Sequence, residues 1–539
     1  MLTRRTLLAS TAAGVAAPLA APLAVPGLIR DAEAATPKTV AVMAMQIDDI
    51  VAFDPAEAYE FTNNEVDGNC YRRLVTPDIN EGNKIVSDLA EKWTVAPDGK
   101  TYTFQLKKDG KFETGKPLTA EDVVFSFERV VKLNKTPGFI LTQFGYTPDN
   151  VNDMIRAVDD HTVEMKLTEA YATSFFLYCL SANVGSIVDK ATVMQNATNG
   201  DFGNGWLKTH TAGAGPYKLT SWQASDHVIV DTNPHALVKP LMPRVILKHV
   251  ADPATQLLQL QKGDADIARN LGSDQLKSIA GNKGMTDTSS PQGSSLYIAM
   301  NQNVPELQKV QVHQAIKWAI NYDAIAKNIT PGTWSVCQTF LPYALPGALK
   351  ETPFKQDPAK AKQLLSEAGL GNGFAVTMDY ISHSPDAEIA QAIQADLAAI
   401  GIKVTLLPGE QKQVITKTRA RQHQLAMLKW GTDYFDPNSN SQAFCENPDD
   451  SDTSKLKILA WRSHFVDKQL TAESVAAAHE LDPAKRIELY HTMQRQFMDR
   501  APFAMLLQQN AVAVMAPGVS GFHVGPSPDY THYGMIRKT

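Results

Sequence analysis

A strand–helix–strand alternation over residues 374–407 constrains this chain more than any other feature. Residues 374–378 read as a strand. Residues 387–400 then carry Ile389, Ile393, Leu397 and Ile400 on one stripe, the spacing of an amphipathic helix, and Gly401 stops it. Residues 402–407 read as the next strand. That succession marks an α/β fold, with helices laid on a sheet. The chain's 539 residues suit two or three such domains.

Other segments add elements. Residues 39–43 and 101–106 read as strands, the second following a hairpin turn at Pro97-Asp98-Gly99-Lys100. Thr119 and Asp122 form a capping-box pair that opens a helix through Val123, Phe127 and Val130. Strands near 154–158 and 162–167 flank a turn at Asp159-Asp160-His161. Asp54-Pro55 predicts a helix start running through Tyr59 and Val66, and residues 312–329 predict one continuous helix. Asp357-Pro358 and Asp482-Pro483 are cap-plus-proline helix starts, with a last strand near 504–514. Gly213-Ala214-Gly215-Pro216 lacks the third glycine and the helix of a dinucleotide loop, and reads as a domain crossing.

The N-terminus reads as an export signal. Arg4-Arg5 precedes an Ala-rich apolar stretch broken by Gly14, Pro18, Pro22 and Pro26, which suits a cleaved leader better than a membrane helix. Ala32-Glu33-Ala34 is an A-x-A cleavage pattern, placing the mature start at Ala35 in the periplasm. The arginine pair resembles a twin-arginine signal; a general secretory leader is the alternative. The first cysteine, Cys70, lies far from that point, which argues against a lipid-anchored end. Net charge is −6, with no basic run, a poor match to nucleic-acid binding. The four cysteines, Cys70, Cys179, Cys337 and Cys445, form no C-x-x-C pair. In an oxidising compartment Cys337–Cys445 is the favoured bridge, with four buried thiols the alternative.

The candidate site lies in Lys429-Trp430-Gly431-Thr432-Asp433-Tyr434-Phe435-Asp436-Pro437. It follows a buried strand, residues 424–428, and precedes a polar segment, 438–442, that reads as a loop. Asp433 between Trp430 and Tyr434 could pair with an ammonium group walled off by aromatics. The same residue types more often make core aromatics and a cap or turn aspartate, and by composition alone that plainer reading is the stronger. No catalytic motif stands beside it: Gly-x-Ser-x-Gly and His-Glu-x-x-His are both missing, and His227, His235 and His249 lack i,i+4 spacing. Those missing motifs count against an exported hydrolase, the other class; that the chain is a binding protein and not an enzyme, with no metal or cofactor, is what the family resemblance below implies. Met43, Met45 and Met300 sit in strand-like apolar settings and read as core rather than as ligands of a metal complex or haem.

Taken in order, Asp88-Leu89-Ala90-Glu91-Lys92-Trp93, Pro97-Asp98-Gly99-Lys100, Gly110-Lys111-Phe112 and Leu118-Thr119-Ala120-Glu121-Asp122-Val123 carry a resemblance. So do Gln314-Ala315-Ile316-Lys317-Trp318 and Asp357-Pro358-Ala359-Lys360-Ala361. The chain resembles the family 5 solute-binding proteins of ABC importers, the dipeptide/oligopeptide/nickel group, over nearly all of its mature length. The resemblance implies a bilobed periplasmic binding protein of type II with discontinuous domains joined by a hinge. By analogy lobe one holds 35–80, 212–292 and 508–539, an accessory subdomain 81–211, and lobe two 293–507, after a leader at 1–34. It implies a monomer that closes on a peptide or related amino compound and delivers it to ABC permease subunits. In peptide-binding members the aspartate of Trp-x-x-Asp-Tyr holds the ligand's α-ammonium, and Asp433 matches it, beside Trp430 and Tyr434. One position departs: Met427 stands where oligopeptide binders carry a carboxylate-binding arginine. Lys429, Arg419 or Arg421 are the candidate substitutes. An opine, a nickel or haem complex and an oligosaccharide are the alternative ligands on the same fold.

Overall fold

The computed structural model describes residues 36–539 except Asn80 and Lys283. The leader and its cleavage pattern lie outside the described residues. An 11-stranded mixed sheet organises the chain. From one edge its main path runs Ile402–Gly409, Phe374–Ile381, Leu425–Gly431, Thr286–Met300, Phe503–Met515, Ile267–Ala268, Val40–Met45, Arg244–His249, His227–Thr232 and Tyr217–Gln223, with Trp334–Val336 added on Phe503–Met515. A separate four-stranded sheet joins Ala90–Val95, Thr101–Leu106, Thr162–Lys166 and Ile155–Asp159.

Core residues explain this arrangement. One core draws on Ala41, Met43, Phe53, Tyr217, Val245, Ile267, Val514 and Phe522, so widely separated passages of chain build it together. A second lies on the four-stranded sheet, where Phe104 and Val163 meet Val123 and Phe127 of the helix Ala120–Leu133 and Phe176 of the helix Thr173–Ser181. The remaining part of the large sheet is buried on both faces, and the period of two shows it. Leu296, Ile298, Met300, Leu425 and Met427 enter one core, while Tyr297, Ala299, Ala426 and Leu428 enter the opposite one.

Two long strands, Thr286–Met300 and Phe503–Met515, run through both halves of the large sheet. Their antiparallel register breaks between Pro291 and Ser295. The released segment, Gln292-Gly293-Ser294, lines the main cavity.

Most expected elements form, and the exceptions have local causes. The helix expected from Asp54 begins at Phe61 and ends at Cys70. Asp54 is instead buried and held in a bidentate pair by Arg129, at 2.6 and 2.7 Å. The helix expected over 312–329 ends at Ala319; Asn321 then caps a new start by accepting from the Ala324 N–H. The loop expected over 438–442 is the helix Pro437–Cys445, with Asp436 as its N-cap and Pro437 at its first position. The bridge Cys337–Cys445 does not form: all four thiols are free and buried. The Cys337 sulfur faces the carbonyls of Thr339 and Leu341, and Cys445 packs in an aromatic-rich core. Gly213 and Gly215 are needed for close approach rather than for phosphate: a Cβ at either would lie 2.1 or 2.4 Å from the backbone of Cys70.

Candidate functional site

A cavity of 760 Å³ opens beside the released segment Gln292-Gly293-Ser294, lined by residues of several cores, among them Met45, Ile140 and Tyr530. The candidate motif enters it at the end of the strand Leu425–Gly431. Three anchors fix the turn. The Thr432 N–H and hydroxyl both donate to the Gly293 carbonyl, at 2.8 and 2.7 Å. The Asp433 N–H donates to Ser439 Oγ at 2.9 Å. Asp436 is fully buried and receives two hydrogen bonds from Arg486, at 2.6 and 2.8 Å. The Asp433 carboxylate is thereby presented to the cavity by backbone held on both sides.

Asp433 has no cationic partner within 4.0 Å among the described residues. Its Oδ1 accepts a hydrogen bond from the Tyr59 hydroxyl, which comes from a segment 374 residues earlier. Burial pushes its carboxyl up to about 6, while the Tyr59 hydrogen bond and the charge of Arg462 pull it back. Burial and the same carboxylate hold the Tyr59 phenol well above its ordinary value. The site thus contains an anion whose remaining hydrogen-bonding capacity faces open space.

The two aromatics differ. Trp430 is half-buried on the cavity wall, edge-on to Phe444 with ring centroids 6.3 Å apart, and its indole N–H is buried without a partner. Tyr434 touches the cavity but is only 3% exposed, so its ring belongs chiefly to the core. It stacks on Phe175 at 5.6 Å and its hydroxyl accepts from Asn438 at 3.1 Å.

The candidate arginine substitutes also separate. Met427 is buried in the core. Lys429, on the same strand face, pairs with Asp386 at 2.9 Å. Arg421 is taken up by Asp450 and His464 and stacks over Trp461. Arg419 does reach the cavity wall, at the end of the helix Gln411–Arg419. Tyr59, Arg462 and the pair Arg269–Glu65 line the cavity too, and sequence reasoning missed them. They arrive from distant segments, so no local spacing could have joined them to Asp433. Of the sulfur candidates, Met43 and Met300 are fully buried, whereas Met45 reaches the cavity.

Residues 84–452 match the family described as bacterial extracellular solute-binding proteins, family 5. A probable D,D-dipeptide-binding periplasmic protein, DdpA, of Escherichia coli is 29% identical over 501 residues, covering 92% of this chain and 93% of that protein. A dipeptide-binding protein of Pseudomonas aeruginosa is 28% identical over 513 residues, covering 90% and 93%. Among solved structures, HbpA2 from Haemophilus parasuis superposes with a TM-score of 0.77 at 24% identity, covering 93% of this chain and 100% of that one. The periplasmic binding protein DppA from Helicobacter pylori, in complex with the peptide STSA, gives 0.73 at 24%, covering 93% and 98%.

Proposed function

The chain belongs to the bacterial extracellular solute-binding proteins of family 5, and from that membership we propose that it captures a peptide or related amino compound beside Asp433 for an ABC importer. Its fold is the bilobed α/β fold of periplasmic binding proteins. Its relatives are periplasmic binding proteins rather than enzymes. No described helix is long and apolar enough to cross a membrane. Export through the 1–34 leader, action as a monomer without nucleic acid, and hand-over to inner-membrane permease subunits belong to the same proposal. So do the lobes, with the bounds given above.

One observation carries the ligand class: a carboxylate with no cationic partner, raised to about 6 by burial, facing a 760 Å³ cavity. A buried anion is stabilised by a cation that brings its own hydrogens, and an α-ammonium does both. Trp430 gives that ammonium an aromatic wall, and Tyr434 backs the turn. The Tyr59 hydroxyl occupies one carboxylate oxygen and leaves the other for ligand.

Native mass spectrometry of protein purified from its periplasm, then denaturing release, identifies what it carries. A peptide or amine mass supports the reading. A neutral sugar, metal chelate or haem keeps the fold and overturns the ligand class. Calorimetry of Asp433→Ala with the released compound then tests the contact. Removing one partner of a buried pair costs roughly 3–5 kcal/mol, or ~2–4 orders of magnitude in affinity. Retention of full affinity removes Asp433 from the site.

A further inference from the structure

The aromatic side chains of this chain are withdrawn from water, with two exceptions. Among the described residues every tryptophan and tyrosine is buried or half-buried, and so are all but two of the 20 phenylalanines. The exceptions are Phe61, 59% exposed, and Phe139, 37% exposed, and both line the main cavity. Neither joins a hydrophobic core. Local burial is inverted at both positions. The helix Phe61–Cys70 buries Thr62, Asn63, Glu65, Asp67 and Asn69, yet leaves its one aromatic residue in the open. The short helix Phe139–Thr142 sends Ile140 and Leu141 into a core and leaves Phe139 outside it. Apolar surface kept in water costs free energy, and folding gains nothing from these two rings. An inverted pattern inside a concave site marks a surface that a ligand covers.

Both rings border the Asp433 carboxylate. Tyr59, whose hydroxyl donates to Asp433, meets Phe139 edge-on with ring centroids 6.3 Å apart. Phe61 lies over Gly431, two residues before Asp433, where a Cβ would come within 3.2 Å of its ring. The missing side chain at Gly431 is what lets the ring reach the strand end that carries the motif.

We infer that Phe61 and Phe139 form an apolar subsite beside Asp433, so that the ligand carries a bulky apolar group, aromatic or branched aliphatic, on or next to the carbon that bears its ammonium. This names the ligand class within the proposed function and rests on that reading for the ammonium alone. An amino compound with only hydrogen or methyl at that carbon meets the carboxylate but leaves both rings in water, and is the weaker ligand.

The test compares phenylalanyl-alanine with alanyl-alanine by calorimetry on the wild type, Phe61→Ala, Phe139→Ala and Phe139→Leu. The wild type is expected to prefer the phenyl-bearing dipeptide by at least about tenfold, the low end for burying such a ring. Each alanine variant is expected to close that gap to within about threefold, chiefly by weakening phenylalanyl-alanine, and Phe139→Leu to restore part of it. Both rings are exposed, so the ligand-free variants should keep the wild-type circular dichroism and melting temperature. Equal binding of the two dipeptides by the wild type, or an undiminished preference in both alanine variants, overturns the subsite while leaving the amino-compound reading intact. An equal loss for both dipeptides, which rings that merely close on one another would give, overturns it too. If neither dipeptide binds the wild type, the peptide reading falls, and 2-phenylethylamine decides the subsite. A rise in melting temperature larger in the wild type than in the alanine variants upholds it; equal rises, or none, overturn it.

Discussion

Replacing Asp433 with asparagine is expected to stabilise the ligand-free protein. The carboxyl titrates at about 6 in the fold rather than at 3.8, with burial the largest cause. At about 1.36 kcal/mol per pH unit, its ionised form costs the folded state roughly 3 kcal/mol at neutral pH. Asparagine keeps the size and the oxygen that accepts from Tyr59, and it carries no charge to bury. The pH dependence follows from which state releases the proton first. Below pH 3.8 both states of the wild type hold it, and the two proteins should be equally stable. Between 3.8 and about 6 the unfolded chain ionises first, and the wild type loses stability. Above about 6 the folded state ionises as well, and the difference levels off. With about 2.1 cal/mol/K of unfolding entropy per residue over roughly 500 residues, ~3 kcal/mol is a rise of about 3 °C. Thermal unfolding of ligand-stripped wild type and Asp433→Asn at pH 8 and pH 3.5 measures it. A variant that melts at or below the wild type at pH 8, or by the same margin at both pH values, would refute the claim that this carboxylate is held at a cost.

The remaining expectations are briefer. Affinity for an α-amino ligand should rise by about twofold from pH 8 to 7, as its amine takes up its proton. It should then fall by up to tenfold per pH unit below about 6, as the empty site takes up a proton; a flat calorimetric profile down to pH 4.5 would exclude Asp433 as the partner. Asp436→Ala should lose roughly 3–5 kcal/mol of stability in denaturant unfolding, because it strands Arg486 buried without its anion. A thiol reagent should find four reactive cysteines in guanidinium and almost none in the native protein, since all four are free and buried; two in guanidinium would mean that one pair is bridged after all.

The fold was legible where a local pattern has one physical meaning. The stripe Ile389, Ile393, Leu397 falls on one buried face of the helix Asp386–Ala398 because period 3.6 permits nothing else. Thr119 and Asp122 cap a helix as expected, since both satisfied donors lie within four residues. Reading failed where a residue's role is decided far away. Asp54 resembles a helix cap, but Arg129 draws it into the core. Polar residues 438–442 resemble a loop, but they form a buried helix between tightly packed elements. The site divides in the same way. Asp433 and Trp430 could be named from the motif, whereas Tyr59 and Arg462 reach the cavity only through the tertiary fold.

Asp433 and Asp436 stand three residues apart in one turn, and their difference explains why the turn is built as it is. Asp436 is inaccessible and fully compensated: Arg486 takes both oxygens, and its Oδ1 also caps the helix Pro437–Cys445. That pairing makes the turn rigid. Asp433 is held by the same rigid backbone but receives only a phenol hydrogen bond, from a different part of the chain. A charged partner from the protein would have stabilised it further and left no reason for a ligand cation to enter. A neutral partner keeps the carboxylate oriented and under-compensated, and on the proposed reading that missing interaction is what a ligand cation supplies. The Tyr59 contact also joins the motif to the segment before the helix Phe61–Cys70, so a ligand that meets Asp433 must accommodate both sides of the cavity at once. The one carboxylate that the two sides of the cavity share is thereby kept in place by the neighbouring Asp436–Arg486 pair.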